Sequence, residues 1–151
     1  MLTHEKLQVY GKGLAFVAAA SALSTAWSKK HAVVDQLDRA SESLILNLAG
    51  GARLRSGPSK LRALDYAIGS GLECAGCLNI AGIKGLLGKP ERDREKQRLC
   101  EIIKMLIGLT KAWQTWRAHD DPVPYRADPP AAVPEAMFRM KPSKSIAPRW
   151  S

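Results

Sequence analysis

Aromatic side chains are scarce in this chain of 151 residues, with two phenylalanines, three tyrosines and four tryptophans, so any core must be built mainly from aliphatic residues. Cysteine is scarcer still: Cys74, Cys77 and Cys100 are too few for a disulfide-stapled scaffold and point to a reducing, cytoplasmic setting. Long apolar runs are also missing. The longest stretch without a charged side chain, Gly13 to Ser28, has 16 residues and falls short of the ~20 that cross a bilayer, which excludes a transmembrane helix there. Its Leu14–Leu23 segment imitates the apolar centre of a signal peptide, yet the same residues continue a helical stripe that begins at Leu7. Acidic residues are the minority charge, 14 against 23 lysines and arginines, for a net charge of +9. That balance favours polyanionic partners.

What is present is an ordinary globular mixture, 46% apolar and 25% charged, enough for one folded domain. Proline and glycine divide it: seven of nine prolines follow residue 119 and all twelve glycines precede it. Residues 1–119 therefore read as a four-helix body and 120–151 as an extended, proline-rich C-terminal tail. In the body, apolar residues recur at spacings of three and four. The first run is Leu7, Tyr10, Leu14 and Val17, with Phe16, Ala20, Leu23 and Trp27 on a neighbouring face; the second is Val34, Leu37, Ser41, Leu44 and Leu48, stopping near Gly50-Gly51. The third runs from Leu61 to Leu86 behind a Ser56-Gly57-Pro58 start signal, and its glycines imply close backbone packing. The fourth is Leu99, Ile102, Leu106, Leu109, Trp113 and Trp116. Short connections make successive helices antiparallel, so the expected fold is all-α, an antiparallel up-down four-helix bundle. The first helix has more apolar surface than one core consumes, which marks Phe16, Leu23 and Trp27 as candidates for burial against a neighbouring subunit.

Catalytic signatures are absent: there is no phosphate-cradling glycine loop, serine elbow or histidine-bearing metal motif, and the reading is of a protein without enzymatic activity, cofactor or metal. Cys74 and Cys77 have metal-like spacing but lack a full ligand set, so small-residue packing is the favoured role. His119-Asp120-Asp121 falls where the last helix meets the tail. Glu42 and Glu73 stand on different helices, with Arg39 a plausible partner. The stretch Glu91–Lys96 sets opposite signs three apart, pairing Glu91 with Arg94 and Arg92 with Glu95 on a solvated face. The basic residues carry more information once placed on a bundle. Lys6, Arg53, Arg55, Lys60, Arg62, Lys111 and Arg117 fall toward one end, where only Glu5 and Asp65 oppose them, a local excess of five positive charges. The other end has an excess of two. The first end is the better site for phosphates, gripped in pairs by arginine forks.

Several segments also resemble a known family. Asp35-Gln36-Leu37-Asp38-Arg39-Ala40 with Ser43 and Asn47-Leu48-Ala49-Gly50-Gly51, then Gly69-Ser70-Gly71-Leu72-Glu73, then Ile103 to Leu109, with the opening Lys6-Leu7-Gln8-Val9-Tyr10, resemble the small bacterial four-helix bundle proteins of 23S ribosomal RNA intervening sequences. The resemblance spans roughly residues 5–112 and departs from the family pattern at Gly50, where a glutamate is usual. It implies a homopentamer and a kinship with the accessory variability determinants of diversity-generating retroelements. There, a basic ring binds the reverse transcriptase of the element and its template RNA. The expectation is thus an oligomeric RNA- or DNA-binding accessory protein, cytoplasmic and without a membrane partner; an oligomeric protein-interaction scaffold that binds no nucleic acid is the alternative. In the tail, Phe138, Met140 and Trp150 stand among basic residues and could dock on a partner.

Overall fold

A computed structural model describes residues 2–54 and 57–120, with side chains up to Thr115. After a single 3-10 turn, Thr3–Lys6, four helices follow: α1 Gln8–Ala26, α2 Ala32–Arg53, α3 Gly57–Ile83 and α4 Lys89–Asp120. They pack as an all-α four-helix bundle, as the periodicity predicts. Each helix touches its neighbours in sequence and α4 returns to α1, while α1 and α3 make no contact and so lie diagonally. The α2–α3 pairing is the most extensive and α1–α4 the slightest. The expected tail begins at the last described residue and lies outside what the structure describes, together with Phe138, Met140 and Trp150.

The core is aliphatic, as the shortage of aromatics requires. Leu37, Leu44 and Leu48 of α2, Leu64 and Leu78 of α3, and Leu99, Ile102 and Leu106 of α4 are all fully buried. Truncating any of these leucines to alanine would cost about 3–5 kcal/mol, since tightly packed neighbours relax only partly into the space left. Polar residues stitch the principal seam. Ser70 Oγ of α3 donates to Ser43 Oγ of α2 at 2.9 Å, and Asn47 Nδ2 donates to Ser43 Oγ at 3.0 Å. These are residues that carry the family resemblance, and their role here is to register α2 against α3.

Glycine works in two ways in this bundle. At Gly85, with φ +70°, the chain adopts the left-handed conformation that ends α3: the Leu86 N–H donates to the Ala81 carbonyl at 2.9 Å and the Gly85 N–H to the Gly82 carbonyl at 3.2 Å, a Schellman stop. The Gly50-Gly51 pair does something else. Expected to end α2, it lies inside the helix, which runs on to Arg53. A Cβ on Gly51 would stand 2.9 Å from the Ala63 Cβ, so the bare backbone is what lets α2 and α3 close together at this crossing. Gly71 is similarly wedged between Leu44 and Ile103, but Gly69 and Gly76, also read as packing glycines, face open space.

Two further expectations are corrected. Phe16 and Trp27 are 1% and 8% exposed and belong to the core of their own chain; Leu23 is half-buried against the same core. The stripe from Val9 through Phe16 and Ala20 faces inward, and what α1 leaves outside is a different set of side chains, including Leu14. The stretch at the start of α4 is not a uniformly solvated face either. Glu95 is 4% exposed because it occupies the position four before Leu99 on the inward stripe, and it pairs with Arg94 at 3.3 Å and Arg98 at 3.6 Å. The expected Glu91–Arg94 and Arg92–Glu95 pairs give way to these and to Lys89–Asp93 at 2.9 Å.

Candidate nucleic-acid interface

Antiparallel helices bring together, at one end of the bundle, the start of α1, the end of α2, the start of α3 and the later turns of α4. Lys6 closes the 3-10 turn that precedes α1, and His4 beneath it meets Tyr10 edge to face with ring centroids 4.7 Å apart, which ties the turn to the helix. Arg53 is the final residue of α2 and is exposed, positioned by the α2–α3 crossing at Gly51 just before it. Arg62 is exposed in the second turn of α3 and Lys111 is exposed on α4.

Lys60 is placed differently. Its Nζ stands 3.9 Å from the centroid of the Trp113 ring, a cation–π contact that clamps the start of α3 to α4 and leaves the lysine half-buried. Trp113 itself packs partly against the core, as a residue of the α4 stripe. Of the remaining expected site residues, Arg55 lies outside the described residues, as do the side chains of Arg117 and Trp116.

Charge pairing separates the two ends. Lys6, Arg53, Lys60, Arg62 and Lys111 form no ion pair among the described residues, whereas at the opposite end Lys89, Arg92, Arg94 and Arg98 are each held by Asp93 or Glu95. Arg39 pairs with Asp35 at 2.7 Å, in place of Glu42 or Glu73, and Glu73 instead accepts a hydrogen bond from Gln36 at 3.2 Å. Free, exposed guanidinium and ammonium groups can meet phosphate oxygens without first breaking an internal pair.

The cysteines do not form a reactive site. Cys74 and Cys77 are buried on the inner side of α3, and burial, aided by Cys77 and Glu73 nearby, pushes the Cys74 thiol up to about 12. Cys77 is raised by the same cause. A thiol so shifted stays protonated at neutral pH and is neither nucleophile nor ready metal ligand. Among the described residues, no group of three or more histidines, cysteines or carboxylates converges.

The fold and the α2–α3 seam can now be set beside known proteins. The model of the 23S rRNA-intervening sequence protein family matches residues 5–108. The chain belongs to that family. The match ends close to where the residues quoted above stop, and it covers the whole of α1, α2 and α3. A crystal structure of a protein of unknown function from the S23 ribosomal protein family of Bacteroides thetaiotaomicron superposes with a TM-score of 0.65. The two share 19% identity over 68% of this chain and 95% of the other, a likeness of fold. No curated protein is similar in sequence. Family membership accounts for the polar ladder of Ser43, Asn47 and Ser70, but names no ligand.

Two features escaped the sequence reading. Glu95 could have been found by extending the Leu99–Ile102–Leu106 spacing one step back, which lands on it. The other is the outward face of α1, where residues 8–26 hold a single charged side chain, Lys12, itself paired with Glu101 at 3.1 Å. No described helix is long and apolar enough to cross a membrane.

Proposed function

We propose that this member of the 23S rRNA-intervening sequence protein family is a non-enzymatic RNA-binding accessory protein, and that its unpaired cations at one end of the bundle contact the phosphate backbone. The observation that carries the reading is the contrast between the two ends: Lys6, Arg53, Arg62 and Lys111 are exposed and unpaired among the described residues, while the cations at the start of α4 are held in ion pairs. Contacts of this kind position a nucleic acid and carry no base readout, so binding would depend on RNA shape and on salt. The resemblance to accessory variability determinants supports a finer reading, in which a homopentamer repeats the basic rim and serves the reverse transcriptase of a diversity-generating retroelement. Repetition multiplies avidity for a long polyanion without any new type of contact.

Filter binding with a structured RNA at two salt concentrations tests it. Changing Arg53, Arg55, Lys60 and Arg62 together to glutamine should abolish binding at modest salt, and full retention would remove this site. A wild-type chain that assembles but binds no RNA at either salt would favour the protein-interaction scaffold, a reading that the uncharged outer face of α1 also supports.

A further inference from the structure

The chain is strongly basic, yet two of its exposed faces carry no free cation. On α1 the outward residues Leu14, Ala18 and Ala22 are exposed, and beside them lies a groove of about 250 Å³ lined by Leu14, Val17, Glu42, Ile45 and Leu46. Leu46 is 69% exposed there. The second face belongs to α3. Between Gly69 and Ile83 its one charged residue is Glu73, and Leu72, Ile80 and Ile83 stand out as bulky knobs, Ile83 with 85% of its surface exposed. Gly69 and Gly76 lie between them with open space over the position of a Cβ. A helix that is apolar on its outer side as well as its inner side belongs against another element.

These two faces differ in shape. One is a groove flanked by alanines; the other is a ridge. Because α1 and α3 are diagonal in the bundle, the faces point away from each other. One molecule therefore cannot satisfy both against itself. We infer that the α3 ridge of one copy, through Leu72, Ile80 and Ile83, seats in the α1–α2 groove of a second copy at Leu14 and Leu46. The occupant is a second copy because each face supplies what the other lacks. Glu42, which forms no ion pair among the described residues, lines the groove, and Lys84, equally unpaired, adjoins the ridge at Ile83. Low positive charge on both faces also lets copies with a net charge of +9 approach each other. Such a contact is head to tail, so each added copy leaves one groove and one ridge unused until a ring closes or a filament grows. This rests on the oligomeric part of the reading above and supplies its interface, which Phe16 and Trp27 cannot.

Light scattering on the full chain, with the variants Leu46→Asp and Ile83→Asp separately and mixed, tests the arrangement. Wild type should exceed a dimer in mass, each variant alone should be monomeric, and an equimolar mixture should give a dimer of twice the 16.4 kDa chain mass, because each variant retains the face the other has lost. Far-UV circular dichroism checks that both variants stay helical, and Leu72→Asp should reproduce the Ile83→Asp result. A monomeric wild type would overturn both this interface and the oligomeric reading, leaving the two faces to some other protein. An assembled wild type with both variants unaffected, or two monomeric variants that fail to pair when mixed, would overturn this interface alone. RNA binding by the rim is measured separately by the glutamine variant.

Discussion

Gly50 and Gly51 are chemically identical neighbours near the end of α2, and the structure predicts opposite consequences for adding a methyl group to each. At Gly50 nothing lies within 4 Å of the new Cβ, so alanine should only reduce backbone freedom in the unfolded chain and improve helix propensity. Since the position is in the last turn, the gain should be about 0.5 kcal/mol, half of the full mid-helix difference. At Gly51 the same propensity gain is opposed by contact with the Ala63 Cβ at 2.9 Å, and the Lys60 carbonyl oxygen lies only 3.5 Å away. Neither a methyl nor a helix backbone can swing aside, so the helices must separate locally; overpacking of this kind costs about 1–3 kcal/mol. Gly51→Ala should therefore be net destabilising by about 1–2 kcal/mol. Urea denaturation followed by circular dichroism reads both variants, with 1 kcal/mol corresponding to roughly 0.5–1 M in midpoint for a small domain. The double variant Gly51→Ala/Ala63→Gly removes the collision and should return to within about 1 kcal/mol of wild type, the residual cost being glycine propensity in α3. If Gly51→Ala proved as stabilising as Gly50→Ala, the crossing would be looser than described, and the positioning of Arg53 by that crossing would lose its physical basis.

The Cys74 thiol, raised from 9.0 to about 12 by burial, makes stability depend on pH in the alkaline range. Its contribution is complete below pH 9 and is lost as pH rises toward 12, about 1.4 kcal/mol per pH unit within that window, because the unfolded chain ionises first. Urea midpoints at pH 8 and pH 10 should therefore differ less for Cys74→Ala than for wild type, and equal slopes would show that the thiol is not desolvated. Glu95→Leu should be neutral or stabilising by about 1–2 kcal/mol, since leucine completes the inward stripe of α4 and the released Arg94 and Arg98 are already largely solvated. A loss above about 3 kcal/mol in thermal or urea unfolding would mean that the buried carboxylate has a partner the ion pairs do not account for.

Helix number, order and the antiparallel arrangement were legible in the sequence because aliphatic residues three and four apart leave few alternatives. The stripe of Leu99, Ile102, Leu106, Leu109 and Trp113 needed nothing else. Facing was harder on α1, where apolar residues surround the helix and periodicity cannot say which side is inner; Phe16 and Trp27 turned inward, and the smaller residues were left outside. Gly50-Gly51 misled because glycine both ends helices and permits their close approach, and only the position of Ala63 tells the two apart. The cations of the candidate site could be assigned to one end from chain order alone. That they are free of ion pairs, and that Lys60 covers Trp113, depends on side-chain positions that no spacing encodes.

Ultraviolet cross-linking of a structured RNA to the full chain, followed by mass spectrometry of the attached peptides, tests the central claim most directly. Cross-links should fall near Lys6, between Arg53 and Arg62, and around Lys111, the parts of four different helices that the fold gathers at one end. Cross-links confined to the α3–α4 connection and the start of α4, with none at those positions, would contradict it.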